Sequence, residues 1–237
     1  MTIEVLKTAS ENKAARIEMR RRGIDCTSPF LIRVMRRMGI VKGASIGEYC
    51  KSWDVLKSLQ FIHDNVPSSG APILDIGAYA SEVLCSLHKL GYTNLTGVDL
   101  NPALKHMPYG DKINYVVSDF MSLPFSDASF SAVTAISVIE HGFEGKKLLK
   151  ELARILKPGG YFIASVDYWP EKIDTTGIKA FGMDWLIFSK EDLLSFVKEA
   201  EQFELCPYGE MNFDASERIV RWKGKQYTFA WLVLRKK

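Results

Sequence analysis

The stretch Ile73-Leu74-Asp75-Ile76-Gly77-Ala78-Tyr79-Ala80-Ser81, with Leu95-Thr96-Gly97-Val98-Asp99 after it, decides the fold. The first apolar run has the length of a buried strand, and its glycine permits a tight turn into the helical pattern from Ser81 to Leu90, which Gly91 ends. The second run is another buried strand, so the segment reads as strand, crossover helix, strand. The rhythm continues through Ile113–Val117, Phe130–Ile136, a helix from about Lys146 to Leu156, a turn at Pro158-Gly159-Gly160 and the run Tyr161–Val166. Strands alternating with helices require right-handed crossovers and a mainly parallel sheet covered on both faces. The fold class is α/β, a doubly wound, Rossmann-like sheet.

Beyond this rhythm, Ser189-Lys190-Glu191-Asp192 carries the N-cap and early acids of a helix running to about Glu201. The runs Phe203–Cys206 and Tyr227–Leu234 have no helix between them, which predicts an antiparallel C-terminal edge and seven strands in all. Residues 167–188 interrupt the pattern with Tyr168, Trp169, Phe181, Trp185 and Phe188, an aromatic excursion placed where a site cap sits.

Upstream of Pro67-Ser68-Ser69-Gly70 the pattern is helical, which divides the chain into a basic helical extension at 1–69 and an α/β domain at 70–237. Of the chain's 31 Lys and Arg and 28 Asp and Glu, residues 1–50 hold 10 and 5. The stretch 30–38 places Phe30, Val34 and Met38, flanked by Leu31 and Met35, opposite Arg33, Arg36 and Arg37. Core packing or a dimer interface is the leading expectation for this stripe, and peripheral contact with an anionic membrane is the lesser one. With 47% hydrophobic residues and 25% charged, the 237-residue chain has globular composition, and charges interrupt every apolar run that approaches bilayer length. No secretory pattern is read at the N-terminus, so a cytoplasmic address is the default expectation. The four cysteines fall singly and the His, Cys, Asp and Glu spacing predicts no metal cluster.

Ligands of a doubly wound sheet bind beyond the carboxyl ends of its strands, so the residues following each apolar run carry the chemistry. The first crossover offers Asp75, Gly77 and free backbone N–H groups at a helix start. Asp99 ends the second strand, where a carboxylate accepts from both hydroxyls of a ribose. Asp119, with Phe120 beside it, follows the third strand and offers an acceptor and an apolar surface to adenine.

Taken in order, Ile73-Leu74-Asp75-Ile76-Gly77, Gly97-Val98-Asp99-Leu100, Ser118-Asp119-Phe120, Leu123–Phe130, Val138-Ile139-Glu140-His141 and Leu156-Lys157-Pro158-Gly159-Gly160 resemble the class I methyltransferases that use S-adenosylmethionine. The resemblance runs over about 70–237. It implies that Asp75, Gly77, Tyr79 and Ser81 of the first crossover hold the methionine part, Asp99 with Leu100 the ribose, and Asp119 with Phe120 the adenine, with S-adenosylhomocysteine as product. Glu140 is expected at the methionine ammonium. One departure stands out: the family's first loop carries Gly-x-Gly-x-Gly, and this chain has Gly77, Tyr79 and Ser81, which predicts a different loop shape.

Methyl transfer from a sulfonium needs alignment of nucleophile and leaving sulfur, and a base only for a weak nucleophile. His141 and Asp167 are the candidate bases. Tyr168, Trp169, Trp185 and, from the extension, Trp53 are the candidate acceptor contacts. The expected acceptor is a small molecule methylated at oxygen, such as a sugar, glycoconjugate or secondary metabolite. Nucleic acid is disfavoured, because the segment after the fourth strand lacks the proline-aromatic motif of base-amine methyltransferases. The alternatives are a non-catalytic binding protein on the same fold and, further off, a nicotinamide-dependent oxidoreductase, whose Gly-x-Gly-x-x-Gly fingerprint is absent.

Overall fold

The computed structural model describes residues 2–237. In chain order the elements are β1 (Ile3–Val5), α1 (Ala9–Arg21), α2 (Phe30–Arg37), α3 (Ser52–Asn65), β2 (Ile73–Ile76), α4 (Val83–Lys89), β3 (Leu95–Asp99), β4 (Ile113–Val117), β5 (Phe130–Ile136), α5 (Gly145–Ile155), β6 (Leu156–Tyr168), β7 (Lys179–Ala180), β8 (Met183–Asp184), α6 (Lys190–Glu201), β9 (Leu205–Pro207), β10 (Val220–Trp222) and β11 (Lys225–Lys236). The main sheet has the order β1-β11-β6-β5-β2-β3-β4, with β9 and β10 pairing on β11. Strands β2 to β6 are mutually parallel, while β11 runs antiparallel to β6.

The central strands are apolar on both faces because helices cover both. One layer packs Leu148, Leu149, Leu152, Phe196 and Val197 of α5 and α6 against Leu74, Val133 and Phe162. The other packs Leu59 and Ile62 of α3 and Leu84 and Leu87 of α4 against Ile73, Ala132 and Ile163. Both α1 and α6 open with capping boxes, Thr8 with Glu11 and Ser189 with Asp192, which satisfy free N–H groups at each start.

Several expectations need correction. The N-terminal 69 residues are not a helical appendage: β1 is a strand on β11, and Met19, Ile24, Val55 and Leu59 share one core with the sheet. Arg16 of α1 is buried and bridges Glu82 (2.6 Å) before α4 and Asp25 (3.0 Å), which locks the extension to the first crossover. Seven strands lie in the main order, as the sequence predicts, and the short strands β9 and β10 pair in addition on β11. Leu156-Lys157-Pro158-Gly159-Gly160 is not a free turn but the irregular start of β6, where pairing with β5 slips between Phe130 and Ala132. Among the described residues no helix is long and apolar enough to cross a membrane.

Candidate functional site

The first crossover leaves β2 through Gly77, at φ +74°, with the N–H groups of Gly77 and Ala78 both donating to Val98 O. A side chain on Gly77 would place its Cβ 2.2 Å from Val138 Cγ2, so a bare backbone is needed there. The second left-handed residue of the loop is Ala80, at φ +64°, rather than Tyr79 or Ser81. The missing glycines therefore impose no strain at those two positions. Asp99, at the end of β3, is half-buried and holds the loop: its carboxylate accepts the Tyr79 N–H (3.0 Å) and the Asn101 N–H (2.8 Å). Each oxygen keeps a further acceptor site for a hydroxyl donor. Leu100 is exposed beside it, and Asp119 is exposed with one oxygen accepting the Met121 N–H, while Phe120 packs partly on the core.

Across the sheet, Ser137 follows β5 in a left-handed conformation (φ +52°), and Glu140 and His141 complete the same loop. Residues 183–188 are zipped to it. Leu186 N–H donates to Glu140 O, Gly142 N–H to Asp184 O, and Phe188 N–H to Asp167 O at the end of β6. The aromatic excursion thus forms a wall that joins the ends of β5 and β6. Asp167 faces this wall, and Trp185 Nε1 donates to its Oδ2 at 2.8 Å.

Buried polar atoms without a hydrogen-bond partner concentrate here. Asp75 Oδ2, Ser137 Oγ, both carboxyl oxygens of Glu140, His141 Nδ1 and Trp169 Nε1 are unpartnered, and only Arg36 Nε lies elsewhere among those found. Buried polar groups are normally satisfied, so this concentration marks ligand-facing groups. Burial raises Asp75 to about 7 despite the hydrogen bond that Thr134 Oγ1 donates to its Oδ1 at 2.6 Å. It raises Glu140 well above the carboxylate range, reinforced by the charge of Asp167. Asp167 rises to about 6 by burial, held back by the Trp185 hydrogen bond and by Lys51. Burial lowers Lys51, but the acids Glu48, Glu140 and Asp167 outweigh it and the ammonium is retained. Burial and Lys51 together push His141 down to about 4. A base titrating near neutrality was expected at His141; the site instead keeps a neutral, weakly basic imidazole.

The expected acceptor contacts divide. Trp169 lies beside the site with Arg218 stacked at 4.3 Å from its ring centroid. Trp53 and Trp185 pack in the same cluster with Tyr227 and Phe229. Tyr168 does not reach the site: alternation along β6 turns it to the opposite face, where it is fully buried and its hydroxyl donates to Phe213 O. Phe181 and Trp222, not anticipated as contacts, stand edge-on to His141 at 5.1 and 6.3 Å. Lys51, Asp54 and Ser137 are also additional. Asp54 and Lys51 lie three apart at the start of α3, and an acid within an apolar helical stripe is the one sequence signal that points to them.

The residues fit an adenosyl sulfonium cofactor: Asp99 presents an oriented carboxylate at the first loop, and Asp75, Ser137 and Glu140 present unpartnered buried atoms next to it in the strand order. Residues 74–164 match the family model described as a methyltransferase domain. A cycloartenol-C-24-methyltransferase of Arabidopsis thaliana is 32% identical over 131 residues, 52% of this chain and 38% of that protein. An O-methyltransferase of Penicillium expansum is 28% identical over 105 residues, 41% of this chain and 38% of that protein. The matches thus span well under two thirds of the length of these curated relatives. Among solved structures, a geranyl diphosphate C-methyltransferase of Streptomyces coelicolor A3(2), crystallised with S-adenosyl-L-homocysteine, superposes with a TM-score of 0.60 at 12% identity, covering 98% of this chain and all of that one. The match to the methyltransferase domain thus falls on residues 74–164, and the fold of the sheet is shared with the solved methyltransferase structure.

Proposed function

We propose that this chain, built around a class I methyltransferase domain, transfers a methyl group from S-adenosylmethionine to a small-molecule acceptor at oxygen. The observation that carries the reading is the concentration of unpartnered buried polar atoms on Asp75, Ser137, Glu140, His141 and Trp169, at or just beyond the carboxyl ends of β2, β5 and β6. When bound, the cofactor supplies an electrophilic methyl on sulfur. Asp99 and Leu100 would take the ribose, Asp119 and Phe120 the adenine, and Asp75 with the Gly77–Ser81 loop the methionine part. Burial, and after it the charge of adjoining Asp167, hold the Glu140 carboxyl well above the usual carboxylate range, which favours its protonated form. Asp167, titrating at about 6 and oriented by Trp185, is then ionised and suited to take the proton from an acceptor hydroxyl. His141 serves as a neutral polar wall rather than as the principal base.

Phe181 and Trp222, tilted by 30° with centroids 6.0 Å apart, and Trp169 offer flat apolar surface for a ring or sugar face. Sterols are named among the acceptors of relatives and metabolites among those of structural neighbours, which supports a small molecule over a macromolecule. The division of labour belongs to the same proposal: residues 70–237 bind the cofactor, 167–188 cap the acceptor, and 1–69 close over it through Lys51 and Trp53. The cytoplasmic address is also proposed, on sequence grounds alone.

The test is calorimetric titration with S-adenosylmethionine and S-adenosylhomocysteine, followed by transfer of labelled methyl to pooled hydroxyl-bearing metabolites. Saturable binding lost in Asp99→Ala, with label recovered in a small product, is the expected result. Absence of binding by the unaltered chain favours the non-catalytic alternative.

A further inference from the structure

Helix α2 is built inside out. Two of its three arginines face the protein: Arg33 donates to the carbonyls of Ser28, Ile46 and Gly47, and Arg36 to Ser28 Oγ and the Ala44 carbonyl. Its apolar stripe faces solvent, and no residue of the helix is buried. Phe30, Leu31, Met38 and Ile40 are 76, 67, 61 and 62% exposed, which places four of the most exposed large hydrophobic side chains of the protein within eleven residues. Isolated exposed apolar residues need no explanation, but a contiguous cluster does. This reverses the expectation that the stripe docks on the protein's own core.

Charge identifies the occupant. Residues 20–42 contain seven Lys and Arg and one Asp; Arg20 pairs with Asp25, and Arg21 and Arg22 with Glu18, so that Arg37 and Lys42 are the exposed cations of this segment outside those ion pairs. Arg20, Arg37 and Lys42 are exposed, and Arg20 and Arg33 both stack on Tyr49, at 5.7 Å each, which brings the basic end of α1 beside α2. Apolar side chains rimmed by cations match the boundary between headgroups and acyl chains of an anionic bilayer. A second apolar protrusion has the same character. Phe181, 79% exposed at the β7–β8 turn, lies next to Trp222, over which Lys223 is placed at 5.1 Å. Both protrusions flank the candidate site. The carbonyls that hold Arg33 belong to a segment whose Gly47 N–H donates to Ala80 O in the first crossover, and Phe181 contacts His141.

We propose that α2, with Phe30, Leu31, Met38 and Ile40 inserted and Arg37 and Lys42 at the headgroups, is a docking surface for an anionic lipid bilayer. It holds the candidate site against the membrane surface. The surface argument stands independently of the catalytic reading.

The experiment is co-sedimentation of the full chain with vesicles of phosphatidylcholine alone and of phosphatidylcholine mixed with phosphatidylglycerol, in low and high salt. Binding is expected to the anionic vesicles, weakened by salt. It should fall roughly tenfold or more in Phe30→Glu/Leu31→Glu and severalfold in Arg37→Glu/Lys42→Glu. All four positions are exposed, so thermal midpoints should stay unchanged, and the charge variant keeps the test intact if the apolar one misfolds. Failure to bind anionic vesicles, or binding indifferent to both variants, overturns the proposal. So does a lipid-free dimer in light scattering that Phe30→Glu/Leu31→Glu disperses, because the face would then belong to a second copy.

Discussion

Asp54→Asn tests whether the extension holds a neutral acid beneath the site. The Asp54 carboxyl is fully buried, accepting from Ser165 Oγ at 2.6 Å and from the Val55 N–H at 3.0 Å. Burial outweighs those bonds and the charge of Lys51 and pushes its pKa up to about 7 from the ordinary 3.8. Between these values the native chain retains a proton that the unfolded chain has released. Rising pH therefore favours unfolding from about pH 4 to about pH 7, and the cost is complete above that. The separation of the two values corresponds to ~4 kcal/mol. Asparagine has no charge to desolvate and can keep one acceptor for the Val55 N–H. The variant should match the parent near pH ~4 and exceed it by ~4 kcal/mol near pH ~8, roughly 8–16 °C in midpoint for a chain of this size. His141 has the opposite dependence: its lowered pKa contributes stability above about 6.5 that is lost as pH falls toward about 4. That contribution is common to both proteins and cancels in the difference. The assay is urea and thermal unfolding across the pH range. A difference independent of pH, or a variant less stable than the parent at the alkaline end, refutes the reasoning.

Gly77→Ala should cost ~2–4 kcal/mol in urea unfolding, from left-handed backbone strain and the clash with Val138, and Val138→Ala in the same chain should recover only the steric share; an unchanged midpoint would contradict the loop geometry. Asp167→Asn should remove an inflection near pH 6 from the turnover of an identified acceptor and lower the rate ~100-fold or more, whereas His141→Asn should leave the inflection in place; the reverse pattern would make His141 the base. Arg16→Met should cost ~3–5 kcal/mol because it strands the buried Glu82 carboxylate, and adding Glu82→Gln should return part of the loss in the same unfolding assay.

What the sequence reveals depends on how locally each feature is encoded. The runs that form β2, β3 and β5 and the acids near the carboxyl ends of β2 and β3 are readable because burial on both sheet faces forces a continuous apolar run, and the fold puts ligand groups at its end. β1 and β10 escape detection because three residues carry no measurable period, and their pairing is specified by β11, which lies far along the chain. The stripe of α2 is visible as a period, but periodicity cannot say which side faces the protein. That side is set by carbonyls of the 44–47 segment that capture Arg33 and Arg36. Lys51 and Asp54 are chemically ordinary in sequence and become functional candidates only when α3 packs under the ends of β5 and β6. The generic half of the site, which would take the nucleoside, is thus written in short motifs of the parallel sheet. The half that would choose the acceptor is assembled from the extension, the aromatic wall and the β10–β11 hairpin, three segments distant in sequence. Acceptor identity should therefore change through substitutions at Lys51, Phe181 and Trp222 without loss of cofactor binding.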